Sequence, residues 1–275
     1  MKAVIHINNS EHQQQHAAWV TAGLRRHGVN VVHAARNVPA EGDLVVIWGW
    51  KQRIVIEAAQ KRGRPILVME RAHLPPRMEW TSCGLNGLGG RGTYARCDDA
   101  GARWREHFGH LDQPWTERDG YTLICGQVAG DAAIWGCNFH AWAQDACNAA
   151  IDRGQDVVYR PHPFAYKHQN DRWHPKGSRF SVAPLAQDLS GASQVVTYNS
   201  TAGVECVLAG VPTVATDQGS MAWPVASRRV EDAPVRRDRT EWMHGLAWTG
   251  FRPSEIESGF MWAHLRERLT CDMAA

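Results

Sequence analysis

The sequence predicts an α/β protein of two halves, each a parallel sheet covered by helices, with a cleft between them. Three observations predict it. Short apolar runs alternate with amphipathic stretches from Lys2 to Glu70. The pattern fails in a proline-, glycine- and aromatic-rich segment from Ala72 to Asp119. A second alternating series begins at Tyr121. Strands spaced by helices of this length need right-handed crossovers, which run the strands parallel. At 275 residues the chain can bury two modest cores. Both halves read as Rossmann-like, without a G-x-G-x-x-G.

Each element follows from local pattern. Lys2 to Ile7 is a strand, and His16 to His27 a helix with Ala17, Val20 and Leu24 near one face and Gly28 as its stop. Val29 to Ala34 and Asp43 to Trp48 are strands, Ile54 to Arg62 a helix stopped by Gly63, and Arg64 to Glu70 the fourth strand. Ala72 to Asp119 reads as a long functional loop, with Trp115 to Gly120 an interdomain linker. The second series has strands at Tyr121–Cys125, Asp156–Tyr159, Gln194–Tyr198 and Pro212–Ala215. Helices at Phe139–Arg153 and Ala186–Ala192, and one opened by Asn199-Ser200-Thr201 and stopped by Gly210, separate them. Ser254 to Leu269 closes the chain as helix, with Ser254 as N-cap and Glu257 completing a capping box. The expected domains are residues 1–117 and 118–245, with helices at 246–275 returning to the first.

Composition narrows the function classes. Hydrophobic residues at 44% and balanced charges at +2 net exclude collagen-like, low-complexity and disordered chains. A net charge this small does not announce nucleic acid and does not exclude a local basic face. No apolar run approaches the roughly 18 residues that cross a bilayer. The N-terminal run turns polar at Asn8-Asn9-Ser10, so neither signal peptide nor anchor is expected and the location reads as cytoplasmic. Seven cysteines (Cys83, Cys97, Cys125, Cys137, Cys147, Cys206, Cys271) contain no C-x-x-C pair and read as reduced thiols. No metal site is expected: His12 and His16 lack a third ligand, and Asp98-Asp99 lies in irregular chain. Thirteen tryptophans exceed what packing needs, so some should line a site.

Chemistry-bearing residues cluster where strands meet helices, the ligand-binding edge of a parallel sheet. Asn199-Ser200-Thr201 opens a helix, so it either caps that helix or offers donors to a phosphate. Arg160-Pro161-His162-Pro163 ends a strand; the prolines restrict the backbone around His162, and Arg160 adds a positive charge. Glu205 lies about a turn and a half past Ser200, placed for ribose hydroxyls or simply for solvent. Gly126-Gln127 through Asp131 follows a strand directly and offers polar recognition. In the first half, Trp48-Gly49-Trp50-Lys51 follows one strand and Glu70 ends another. Glu70 is a candidate general base or a partner for Arg71 or Lys51.

Four pieces then occur in order: Val46-Ile47-Trp48-Gly49-Trp50-Lys51; Gly126-Gln127-Val128 with Asp131-Ala132-Ala133-Ile134; Arg160-Pro161-His162-Pro163; and Asn199-Ser200-Thr201-Ala202-Gly203-Val204-Glu205 with Gly210-Val211-Pro212. Together they resemble the capsule-polysaccharide synthesis, Kdo-transferase-like glycosyltransferases of GT-B fold, over roughly residues 43 to 216. The resemblance implies a nucleotide-sugar co-substrate bound by the second domain, no metal, no tightly bound cofactor, and an acceptor presented by the first domain. Carried over, Arg160 and His162 hold donor phosphate, Asn199, Ser200 and Thr201 form the phosphate site, and Glu205 takes the nucleoside. Gln127 and Asp131 line the donor and reaction centre. Asp131, Glu70 and His162 are the catalytic candidates, and Trp48, Trp50, Lys51, Asn86 and Arg91 the acceptor side.

One departure shifts the expected acceptor. Where the capsule enzymes have an E-D-G-F-L-R-S-like stretch, this chain has Glu70-Arg71-Ala72-His73-Leu74-Pro75-Pro76. The glycine-rich loop with Arg91 and Arg96, and Arg228, Arg229, Arg236, Arg237 and Arg239 with Trp223, Trp242 and Trp248 nearby, suggest a basic rim for DNA, or, for residues 228–239, a solvated loop. A compact enzyme of this kind suits glycosylation of hydroxymethylated pyrimidines such as hydroxymethylcytosine in bacteriophage DNA. A surface polysaccharide or glycolipid acceptor is the alternative, followed by a nucleotide-sugar epimerase and a non-catalytic DNA- or glycan-binding module.

Overall fold

The computed structural model describes residues 1–8 and 10–271, the side chains of residues 270 and 271 excepted. Asn9, in the polar stretch after the first strand, and the Cys271 thiol therefore lie outside the described residues. The chain forms two compact units: Met1–His107 with Met243–Ala275, and Phe108–Trp242.

The first unit opens with β1 (Lys2–His6), α1 (Glu11–Arg26), β2 (Asn30–Ala34), β3 (Leu44–Trp48), α2 (Arg53–Lys61) and β4 (Ile66–Arg71). β1 pairs in parallel with β2 and β3, and β3 with β4. Ala3-Val4-Ile5, Leu44 to Ile47 and Ile66 to Met69 are buried throughout, as strands covered on both faces require. α1 begins five residues before its apolar stripe, because Glu11 to Gln15 add a turn of helix that buries almost nothing. The segment after Ala72 is not one loop. β5 (Thr81–Leu85) is buried and antiparallel to β4, and α3 (Ala102–His107) follows. Gly84 disguises this strand in the sequence. It is needed because the Tyr94 ring lies on the backbone, and a Cβ there would sit 2.7 Å from Tyr94 Cε1.

The second unit contains β6 (Tyr121–Cys125), α4 (Phe139–Asp152), β7 (Val157–Arg160), α5 (Pro163–His168), β8 (Arg179–Phe180), α6 (Leu185–Gly191), β9 (Ala192–Thr197), α7 (Ala202–Leu208) and β10 (Thr213–Ala215). Its sheet runs β10-β9-β6-β7-β8, all parallel. The segment read as a free linker is bonded to this unit. Gln113 N–H donates to Leu208 O and Thr116 N–H to Gly210 O, both at 2.8 Å, and Trp115 Nε1 donates to Arg237 O at 3.1 Å.

From Met243 the chain belongs to the first unit. α8 (Thr240–Ala247), β11 (Gly250–Phe251), α9 (Pro253–Glu257) and α10 (Phe260–Cys271) complete it. β11 pairs antiparallel with β5, giving a sheet ordered β11-β5-β4-β3-β1-β2. Trp248, Phe251, Ile256, Met261, Trp262 and Leu265 share one core with Ile5, Leu24 and Met69. The helix cap differs from the expected Ser254. Pro253 takes the first helical position, Arg252 is the N-cap, and Glu255 Oε2 accepts from Arg252 N–H at 2.8 Å. Among the described residues no helix is long and apolar enough to cross a membrane.

Candidate active site

In the second unit, β7 and β8 lie on one side of β6, and β9 and β10 on the other. The topological switch point, where parallel sheets bind ligands, is therefore between the carboxyl ends of β6 and β9. Gly126-Gln127 follows one strand and Tyr198-Asn199 the other. The two amide side chains clasp: Gln127 Nε2 donates to Asn199 Oδ1 at 2.9 Å, and Asn199 N–H donates to Gln127 Oε1 at 3.2 Å. Asn199 Nδ2 also donates to Ala133 O at 2.7 Å and to Asp217 Oδ1 at 2.9 Å. With 8% exposure, Asn199 ties the loops after β6, β9 and β10 together rather than presenting its own amide to a ligand. Gly126 is required beneath it, since a Cβ would approach Tyr159 Oη to 2.6 Å.

Around the clasp, Asp131 caps the turn at 132–134 by accepting from Ala133 N–H at 3.1 Å, which aims its half-buried carboxylate. At the start of α7 the Ser200 hydroxyl bonds the helix's own backbone, as in the capping alternative. Ala202 N–H donates to Ser200 Oγ at 3.2 Å, Gly203 N–H to Ser200 O at 3.0 Å and Val204 N–H to Thr201 O at 2.9 Å. These three main-chain donors are used inside the turn, beside the half-buried hydroxyls of Ser200 and Thr201. Glu205 is half-buried on the same short helix.

His162 lies two residues past β7 as N-cap of α5, its Nδ1 accepting from Phe164 N–H at 3.1 Å. That bond places the proton of the neutral ring on Nε2, a donor. Arg160 is turned elsewhere. Its guanidinium pairs with Asp188 Oδ2 at 3.1 Å and bonds Ala183 O, with side-chain exposures of 14% and 6% for Arg160 and Asp188. Ser181 Oγ donates to the other Asp188 oxygen at 2.7 Å. This charge holds α6 to β7, so the guanidinium expected at donor phosphate already has an acidic partner.

In the first unit, β2 and β3 flank β1, so the switch point lies between the ends of β1 and β3. Trp48 ends β3, and Glu70 Oε1 lies 3.4 Å from where a Cβ on Gly49 would be. Trp48, Gly49 and Glu70 thus share the carboxyl edge. Trp50 packs on the core beneath α2, and Lys51 is exposed. Asn86 lies elsewhere: its Oδ1 accepts from Ile66 N–H at 2.9 Å, at the opposite, amino end of β4. The loop carrying Arg91 leaves and rejoins that same end, where Leu85 and Thr93 exchange backbone bonds at 2.8 and 2.9 Å. The sequence placed both on the acceptor side because a glycine-rich loop reads as functional; antiparallel β5 carries it to the far edge.

The structure adds His12 and His16, which the sequence had weighed only as metal ligands. His12 meets Trp48 edge-on at 4.5 Å and His16 at 4.3 Å between ring centroids. Burial lowers the pKa of both rings; for His12 nearby Arg71 adds to this, while for His16 the bond to the His12 carbonyl opposes it. Among the described residues no three His, Cys, Asp or Glu side chains gather as metal ligands.

No family model and no curated protein matches the chain. Solved structures do. The β-Kdo 2,7-transferase of Thermosulfurimonas dismutans KpsC superposes with a TM-score of 0.59 at 12% identity, over 97% of this chain and 100% of that one. The β-Kdo 2,4-transferase of the same protein gives 0.57 at 15%, over 88% and 89%. The chain has the two-Rossmann-domain, GT-B-like fold.

On this GT-B-like frame the expected basic rim divides: Arg228 and Arg239 are engaged within the fold, while Arg229, Arg236 and Arg237 are exposed. Arg228 stacks on Trp223 at 3.8 Å and bonds the Trp223 and Ala226 carbonyls. Arg239 is buried, paired with Asp112 at 2.5 Å and bonded to Val207 O and Gln113 O. Arg236 donates to Thr116 O, and Arg229 pairs with Glu231. Trp223 and Trp242 pack on the core of Val207, Ala215 and Val225, and Trp248 is buried in the first unit.

Proposed function

We propose that this protein is a glycosyltransferase that moves a sugar from a nucleotide-activated donor to a saccharide hydroxyl of a bacterial surface polysaccharide or glycolipid. The observation that carries the reading is the Gln127–Asn199 clasp at the β6/β9 switch point, with Asp131, His162 and the Ser200-Thr201 hydroxyls on the adjoining strand ends. The likeness to two Kdo transferases supports it at the level of fold.

In this reading His162 Nε2–H and the hydroxyls of Ser200 and Thr201 donate to the departing phosphate, where negative charge grows. Asp131 stabilises the positive charge developing on the sugar, and Glu70 accepts the proton of the acceptor hydroxyl. The nucleotide sugar is a co-substrate, and the scheme uses no tightly bound cofactor. A saccharide acceptor is preferred to DNA on the likeness of the fold to two Kdo transferases; of the arginines expected to meet phosphates, Arg228 and Arg239 are engaged within the fold and Arg229, Arg236 and Arg237 are exposed.

The test incubates the protein with a nucleotide-sugar panel and either oligosaccharides or hydroxymethylcytosine- and hydroxymethyluracil-containing DNA, read by mass spectrometry. A sugar-sized gain on an oligosaccharide is expected. A gain on the DNA base would replace the acceptor, and a sugar isomer formed without acceptor would make the protein an epimerase. His162→Ala should lower kcat by about 10²-fold, as for loss of one donor to a developing anion.

A further inference from the structure

We propose that His12, with Trp48, forms a saccharide-binding subsite at the switch point of the first unit's sheet, a role that rests on the transferase reading. Three observations converge on it. His12 is the second residue of α1, which starts just beyond the carboxyl end of β1, and Trp48 is the last residue of β3, the strand beside it. This is the position at which an open parallel sheet takes its ligand.

The second observation is a contrast between two histidines one helical turn apart. Both ring nitrogens of His16 are engaged, Nδ1 with His12 O at 2.7 Å and Nε2 with Thr81 Oγ1 at 2.9 Å. His16 is thereby a buried strut between α1 and β5. The His12 ring nitrogens make no hydrogen bond among the described residues, although the ring is only half-exposed. It meets two aromatic rings: His16 at 4.3 Å, tilted, and Trp48 at 4.5 Å and 88°, edge-to-face.

The third is chemical fit. A neutral imidazole offers one donor and one acceptor, matching a sugar hydroxyl, which also donates and accepts. The half-buried Trp48 beside it supplies the apolar wall that small-ligand sites pair with a few placed polar groups. Burial and the nearby Arg71 charge keep the His12 ring in its neutral form.

The experiment uses the saccharide that gains mass in the screen above. Acceptor KM is measured for wild type, His12→Ala, His12→Gln and Trp48→Phe, and nucleotide Kd by calorimetry for each. His12→Ala should raise acceptor KM at least tenfold with nucleotide Kd unchanged, and His12→Gln, which keeps a donor and an acceptor, should recover part of it. An acceptor KM within twofold of wild type in both His12 variants overturns the subsite. Should His12→Ala fail to fold, His12→Gln and His12→Asn decide by the same criterion. Failure of wild type to bind any nucleotide or glycosylate any saccharide overturns the functional reading itself.

Discussion

His73 is a histidine the fold keeps neutral. It is 5% exposed, with Nε2 at 3.2 Å from both Tyr94 Oη and Ser82 Oγ. Burial, helped by Arg77, pushes its pKa from 6.5 down to about 4. A lowered histidine binds fewer protons folded than unfolded. Its contribution is therefore complete above pH 6.5 and is lost as pH falls toward 4. The loss at the bottom of that window is at most about 3 kcal/mol. Urea titrations should show stability falling across it, and His73→Gln should flatten the slope; an unchanged slope would remove His73 as its source. The sequence alone put Gln127 and His162 just past a strand and Asp131 in the loop after β6, and the structure places them so. Asn199 was placed in the same way, but its role as a buried tie depends on Ala133 and Asp217, distant in sequence. Asn199→Ala should leave Ala133 O without that donor, costing about 1–3 kcal/mol, and weaken nucleotide binding by calorimetry.

At the scale of elements, buried ion pairs do the joining. Arg103 on α3 makes a two-pronged pair with Glu255 on α9 at 2.6 and 2.8 Å and donates to Ala247 O and Gly250 O. Its guanidinium lies between Trp80 at 5.3 Å and Trp248 at 4.8 Å. Burial alone would raise the Glu255 carboxyl, but bonds from Arg103 and Arg252 N–H hold it below 4.5. Its contribution is present above pH 4.5 and is lost as pH falls through the depressed folded value, so Glu255→Gln should be less stable than wild type at neutral pH and converge with it in acid. The Arg160–Asp188 pair joins α6 to β7 in the same way. Arg160→Met should cost about 3–5 kcal/mol by leaving Asp188 buried and uncompensated, yet change nucleotide Kd less than threefold. A large loss of nucleotide affinity in a folded Arg160→Met would return Arg160 to the phosphate site. Neither pair is visible in local pattern, since each joins residues far apart in the chain.

Across the whole molecule, the chain crosses from one unit to the other twice, which makes them unequal. Residues 108–242 are continuous and carry their own five-stranded sheet and cores. That fragment should fold alone, with cooperative unfolding by circular dichroism and nucleotide binding by calorimetry. Truncation after Trp242 should instead unfold residues 1–107, which would lose Trp248, Phe251, Ile256, Trp262 and Leu265 from one shared core and β11 from the sheet edge.

What the sequence determined by itself was everything local. Continuous apolar runs specified the parallel strands β1, β3, β4, β6, β7 and β9 to within a residue or two, because a strand covered on both faces needs no distant partner to be recognised. Residues immediately after those strands could be placed at the sheet edge for the same reason. Only the tertiary structure decided which charges were available and which edge each loop reached. Arg160 and Arg239 look alike in sequence to free cations, and their neutralising partners, Asp188 and Asp112, come from other parts of the chain. Asn86 went to the wrong edge because β5 runs antiparallel, a direction set by pairing with β4 and β11. His12 and Trp48 are 36 positions apart and meet only because β1 and β3 are neighbours in the sheet.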